Sequence, residues 1–131
     1  VVYADGKIFG KPQNRDEARD FLLKLSAKEH TVYTAVCFYY VDLQTKKNKC
    51  FSFSCSSQVT FSEISPSILE NYLKTNDSLD KAGAYGIQGP SLTFISNLNG
   101  SYSNVVGFPL SDVVKNLQHC LGTIDWREKF L

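Results

Sequence analysis

Two rhythms of apolar and polar residues alternate along this chain of 131 residues. One repeats every second residue, the spacing of a half-buried strand; the other repeats every three to four, the spacing of a helix with one buried face. Val1-Val2-Tyr3 reads as strand and returns through Asp5-Gly6 into Lys7-Ile8-Phe9, because an Asp-Gly pair suits the left-handed backbone of a two-residue hairpin. Gly10-Lys11-Pro12 is extended or turning, since proline disfavours helix in the residue before it. Asn14 then caps a helix whose apolar residues Ala18, Phe21, Leu22 and Leu25 share a face. Asp16 and Glu17 sit in its first turn and Lys24 near its end, as the helix dipole prefers. Ser26 to His30 is a polar break. Thr31 to Val41 is rich in β-branched and aromatic residues and predicts a long, mostly buried strand. After a charged turn from Asp42 to Lys49, Phe51, Phe53 and Cys55 alternate with serines, and the pattern runs on through Val59 and Phe61. These two strands should pair as an antiparallel hairpin.

Ser65-Pro66 opens a second helix, a capping hydroxyl followed by proline at the first helical position, with Ile68, Leu69, Tyr72 and Leu73 as its apolar face. Ser91 to Leu98 predicts another strand, Asn99-Gly100 a turn, and Tyr102 to Val106 a returning strand. Gly107-Phe108-Pro109 breaks the pattern. Ser111 is expected to cap a last helix carrying Val114, Leu117 and Leu121 and ended by Gly122. The tail Thr123 to Leu131 has no assigned element. Hairpin-joined strands with helices between the groups predict an α/β fold: a mixed, largely antiparallel sheet with packed helices. Without an internal repeat, low-complexity tract or linker, residues 1–131 read as a single domain.

Composition adds mainly exclusions. A hydrophobic content of 43% and a charged content of 21% are ordinary for a soluble globular protein. A formal net charge of +1 argues against a nucleic-acid binder, which carries a strong basic excess. Phosphate binding would then rest on a few placed lysines and backbone amides. No apolar run approaches membrane-spanning length, and no stretch has the layout of a secretory signal. Cys37, Cys50, Cys55 and Cys120 show no Cys-x-x-Cys spacing, which does not suit zinc. Cys37 and Cys55 fall in apolar strand patterns and are expected as buried, reduced thiols, in an intracellular compartment. The chain holds no methionine and begins at Val1 inside an apparent strand, so a piece of something longer is expected.

One decapeptide stands apart: Asp80-Lys81-Ala82-Gly83-Ala84-Tyr85-Gly86-Ile87-Gln88-Gly89. Its three glycines suit a backbone that turns tightly and approaches a ligand closely. Lys81 offers a compact cation to an anion, and the Gln88 amide offers both a donor and an acceptor, a pairing that fits phosphate at one end and a base edge at the other. Composition alone leaves a plain surface loop with a solvated lysine as the simpler reading, and Asp80 beside Lys81 as a local ion pair. Lys11, held between glycine and proline, is free to reach, but taken alone it reads as a surface lysine. His30 and His119 lie in no nucleophile motif and are expected to be structural or solvated. Walker-type and dinucleotide-binding glycine patterns are absent.

Taken in order, these segments resemble the Maf family of nucleoside triphosphate pyrophosphatases. The resemblance is carried by Gly10-Lys11-Pro12, Glu17-Ala18 with Leu22-Leu23 and Leu25-Ser26, His30-Thr31-Val32 with Thr34-Ala35-Val36, the decapeptide, Gly100-Ser101-Tyr102, and Asn104 to Leu110. It implies hydrolysis of a nucleoside triphosphate to the monophosphate and pyrophosphate, with Lys11 and Lys81 holding the triphosphate and Gln88 selecting the base. The form of the decapeptide is similar to the branch acting on dTTP and UTP, not the branch acting on 7-methylated GTP. It further implies a divalent ion such as magnesium, a fold related to inosine-triphosphate pyrophosphatases, a cytoplasmic setting and a homodimer. The family's Ser-x-Ser-x-Arg-Arg loop and the aspartate of its Ala-Asp-Thr strand, the general base, would align ahead of Val1, so no catalytic base is expected within this chain. Asp5, a turn residue, does not replace it. A non-catalytic, truncated Maf-like domain used for nucleotide binding or association is the alternative.

Overall fold

The computed structural model describes residues 1–122; the unassigned tail Thr123 to Leu131 lies outside them. Strand β1 (Val2–Ala4) pairs with β2 (Lys7–Phe9) through Asp5 and Gly6, whose φ angles of 48° and 76° are both left-handed, as this hairpin turn requires. Helix α1 (Arg15–Leu25) starts where Asn14 Oδ1 accepts the Glu17 backbone N–H at 2.9 Å, and it buries Ala18, Leu22 and Leu25. Strand β3 (Glu29–Val41) starts earlier than the polar residues foretell, since Glu29 and His30 pair with Thr60 and Val59 of β4 (Asn48–Phe61). Helix α2 (Pro66–Lys74) follows the capping Ser65. Strand β5 (Ile95–Asn99) completes a five-stranded sheet in the order β2-β1-β3-β4-β5. Every neighbouring pair among the described residues is antiparallel, so the expected α/β fold with a largely antiparallel sheet and packed helices is present.

Strand alternation decides what is inside. Val2, Ala4, Phe9, His30, Val32, Val59 and Phe61 point to one face and are buried there, packed against α1 and α2. Tyr3, Ile8, Tyr33 and Tyr39 point to the other face and are exposed. Cys37 shares that outer parity, so it is exposed rather than buried; Cys55 faces inward but is only half-buried. Nor is β3 mostly buried. Beyond Val32 its inward residues Thr34, Val36, Phe38 and Tyr40 are only half-buried.

Two further expectations are corrected after Gly89. Gly89–Thr93 forms a tight 3-10 turn begun by Pro90, which leaves a strand only from Ile95. Tyr102–Val106 is helix α3, not a returning strand. Ser101 Oγ accepts the Asn104 N–H at 3.2 Å and Gly107, at φ 127°, stops the turn, so capping outweighs the strand preference of tyrosine and valine. Helix α4 (Leu110–Leu121) begins at Leu110, whose N–H is taken by Ser103 Oγ at 3.0 Å; Ser111 therefore lies inside the helix and caps nothing. Its buried residue is Val113, while Val114 and Leu117 are half-buried and Leu121 is exposed.

Candidate functional site

The decapeptide is an irregular backbone anchored at almost every step. The Gly83 N–H donates to the Gly10 carbonyl at 3.0 Å, which ties the loop to the Gly10-Lys11-Pro12 segment. Gly83 lies at φ 71°, and a Cβ there would fall 2.9 Å from the Val2 side chain, so β1 and the loop touch where only glycine fits. The Ala84 carbonyl accepts from the Tyr72 hydroxyl at 3.0 Å. The Tyr85 hydroxyl meets His30 Nε2 at 2.6 Å, and its ring packs edge-on against Phe61. Ser91 Oγ donates to the Gly86 carbonyl, and Ile87 is buried. A plain surface loop would lack these links.

His30 has the structural role its position suggests. It is buried against Phe61 and Tyr85, and its Nδ1 has no partner among the described residues. Burial pushes its pKa down to about 4, because charging the ring would place a cation in an apolar pocket. Burial likewise raises the Tyr85 phenol, so both groups are neutral at physiological pH.

The loop lines a cavity of about 280 Å³, to which it brings the polar side chains of Asp80, Lys81 and Gln88 together with Ala82, Tyr85, Gly86 and Ile87. Val1, Val2 of β1, and Val32 and Thr34 of β3 form the second wall of this cavity, and Asn104 to Gly107 the third. Lys81 Nζ donates to Asp80 Oδ1 at 2.9 Å, to Asp77 Oδ1 at 3.1 Å and to the Asp77 carbonyl at 3.2 Å. The Asp80 carboxylate, followed by Asp77, raises the lysine pKa. In turn Lys81 lowers that of Asp80, with a smaller long-range contribution from Lys11. The lysine stem crosses Gly86, where a Cβ would fall 2.8 Å from Cδ.

Of the three site residues expected from the sequence, Lys81 and Gln88 therefore share one cavity. Lys11 is exposed and close enough to act on Asp80, but its side chain is not on the cavity wall. Sequence reasoning missed Thr34 and Asn104 as wall residues. Asn104 is fully buried; its Nδ2 donates to Ser57 Oγ at 2.9 Å and to the Val32 carbonyl at 3.2 Å, and its backbone carbonyl accepts from Thr34 Oγ1 at 3.2 Å. The signal was the Ser101-to-Asn104 spacing of a helix cap, hidden under a strand-like tyrosine and two valines. Among the described residues no three His, Cys, Asp or Glu side chains group as metal ligands. No helix among them is long and apolar enough to cross a membrane.

A family model described as Maf-like protein matches residues 1–120. The chain is 45% identical over 118 residues to a dTTP/UTP pyrophosphatase of Shouchella clausii, covering 90% of this chain and 59% of the relative. It is 45% identical over 118 residues to a dTTP/UTP pyrophosphatase of Clostridium acetobutylicum, covering 89% and 57%. A dTTP/UTP pyrophosphatase of Fusobacterium nucleatum is 43% identical over 118 residues, at 90% and 59%. The chain thus spans well under two thirds of the length of these relatives.

Proposed function

The chain belongs to the Maf-like protein family, and on that premise we propose that the whole protein is a nucleoside triphosphate pyrophosphatase acting on dTTP or UTP. Water attacks the α-phosphorus and pyrophosphate leaves, a reaction served mainly by orientation and charge neutralisation. The observation that carries this reading is the placement of Lys81 and Gln88 on one cavity by a loop locked into the core.

Lys81 holds phosphate oxygens in this proposal. Its present partners are the largely exposed Asp80 and the half-buried Asp77, and ion pairs open to solvent are weak, so an entering phosphate competes for the ammonium. Gln88, exposed at the end of the loop, pairs with the base edge through its amide. Lys11 adds positive potential from beside the cavity. Magnesium needs only one or two carboxylates besides substrate phosphates, and Asp80 is the carboxylate on this wall suited to hold it. Bound there, the ion would neutralise phosphate charge. We assign the general base to residues ahead of Val1, because Val1 itself lines the cavity, whereas Asp5 sits in the hairpin turn, paired with Lys28 at 2.9 Å. A cytoplasmic location and a homodimer belong to the same proposal; four free thiols suit a reducing compartment.

The test is pyrophosphate release by the full-length protein in magnesium, measured on dTTP, UTP and purine triphosphates. Release from dTTP and UTP is expected, and Gln88→Ala should narrow the ratio of dTTP to GTP rates. No release from any nucleoside triphosphate contradicts the proposed activity, and an unchanged ratio contradicts the role of Gln88.

A further inference from the structure

The outer face of the β3–β4 hairpin carries two thiols in contact. Cys37 lies opposite Ser52 and Cys50 opposite Tyr39, so the cysteines are diagonal neighbours on the same side of the ladder, and their Sγ atoms are 2.9 Å apart. Both are exposed, and the cavity does not include them. A disulfide needs the sulfurs about 0.9 Å closer, at the bonded distance of about 2.05 Å. The hairpin here can yield that much, since the inward side chains beneath it, Val36, Phe38, Phe51 and Phe53, are only half-buried.

We propose that Cys37 and Cys50 form a thiol pair that a small-molecule disulfide, such as oxidised glutathione, converts reversibly into a cross-strand disulfide. One thiolate attacks a sulfur of the small disulfide, forming a mixed disulfide and releasing one small thiolate. The neighbouring protein thiol gives up its proton and attacks the protein sulfur of the mixed disulfide, releasing the second small thiol. Two protein thiols are oxidised, and one small disulfide is reduced to two thiols. The bond clasps the hairpin near its tip.

Selectivity follows from the surroundings. Cys55 faces inward and donates its S–H to Asp112 Oδ2 at 3.3 Å, and burial followed by that carboxylate raises its pKa, so it yields little of the reactive thiolate. Cys37 and Cys50 are both exposed and in contact, so whichever thiolate attacks first, the other is placed to resolve the mixed disulfide.

The experiment equilibrates the full-length protein across ratios of oxidised to reduced glutathione, quenches by alkylation and maps peptides. Trypsin cuts at Lys46, Lys47 and Lys49, and chymotrypsin at Phe51 and Phe53, which separates Cys37, Cys50 and Cys55. The expected result is a linked Cys37–Cys50 peptide that dithiothreitol reverses, with Cys55 alkylated and slower amide exchange between Phe38 and Lys49 in the oxidised form. Cys37→Ser should replace the link with a stable glutathione adduct on Cys50. Persistent adducts on both cysteines of the wild type, linkage to any other cysteine, or no reaction at either site would each overturn the proposal.

Discussion

The decapeptide loop and the far half of the β3–β4 hairpin invert a common assumption about order. The loop has no regular structure beyond two short 3-10 turns, yet Gly83, Ala84, Tyr85 and Ile87 are buried, and the first three are tied by hydrogen bonds to the Gly10 segment, α2 and β3. The hairpin keeps unbroken ladder pairing out to Val41 and Asn48, yet Tyr39 and Val41 are exposed and the inward phenylalanines only half-buried. Backbone regularity is a local property, whereas resistance to local opening follows burial and satisfied hydrogen bonds. A loop that must keep a lysine in place gains more from the second than from the first.

The largest effect should come from filling the contact between loop and β1. Gly83→Ala forces a side chain into a left-handed backbone and into Val2, and it should cost about 2–4 kcal/mol by urea denaturation of the full-length protein. A loss below about 1 kcal/mol would show the loop to be as loosely held as the hairpin. Next comes acid. The folded His30 stays neutral down to about pH 4, while in the unfolded chain it takes up a proton near its ordinary pKa of 6.5. Stability is therefore fully present above pH 6.5, falls as the pH drops through that window, and loses about 3 kcal/mol by pH 4. Denaturation of wild type and His30→Asn across this range checks the slope, which the variant should lack.

Smaller effects sharpen the contrast further. Tyr85→Phe keeps the ring among Phe61 and His30 but removes the hydroxyl, leaving His30 without its one bond, and should cost about 1–2 kcal/mol. On the hairpin, Tyr39→Ser removes an equally large aromatic residue and should move stability by about 0.5 kcal/mol or less, because the ring is 84% exposed. Equal costs for the two tyrosines, read from the same denaturation curves, would erase the difference between the regions.

Most of this architecture is written locally. Asp5-Gly6, Asn14 and Ser65-Pro66 each act within a few residues, so the first hairpin, α1 and α2 follow from the sequence. Where two local signals compete, the sequence misleads: Tyr102, Val105 and Val106 favour a strand, while Ser101 and Gly107 cap a helix, and the caps prevail with Asn104 buried beneath. Burial along β3 was illegible for another reason. Apolar residues occur on both faces of this strand, so its pattern shows neither that Cys37 points outward nor that the inward residues beyond Val32 are only half covered. At the site, Lys81 and Gln88 stand out because their glycine-rich setting is unusual. Thr34 and Asn104 reach the same cavity only through pairings distant in sequence.

In the proposed function the anchored loop holds Lys81 against the substrate's phosphates. The decisive comparison is pyrophosphate release from dTTP by full-length Lys81→Ala and Tyr39→Ala, after both are shown to be folded. Lys81→Ala should lose about a hundredfold or more, the scale of losing one positioned electrostatic contact, and Tyr39→Ala should keep wild-type rates. Wild-type turnover by folded Lys81→Ala would contradict this role.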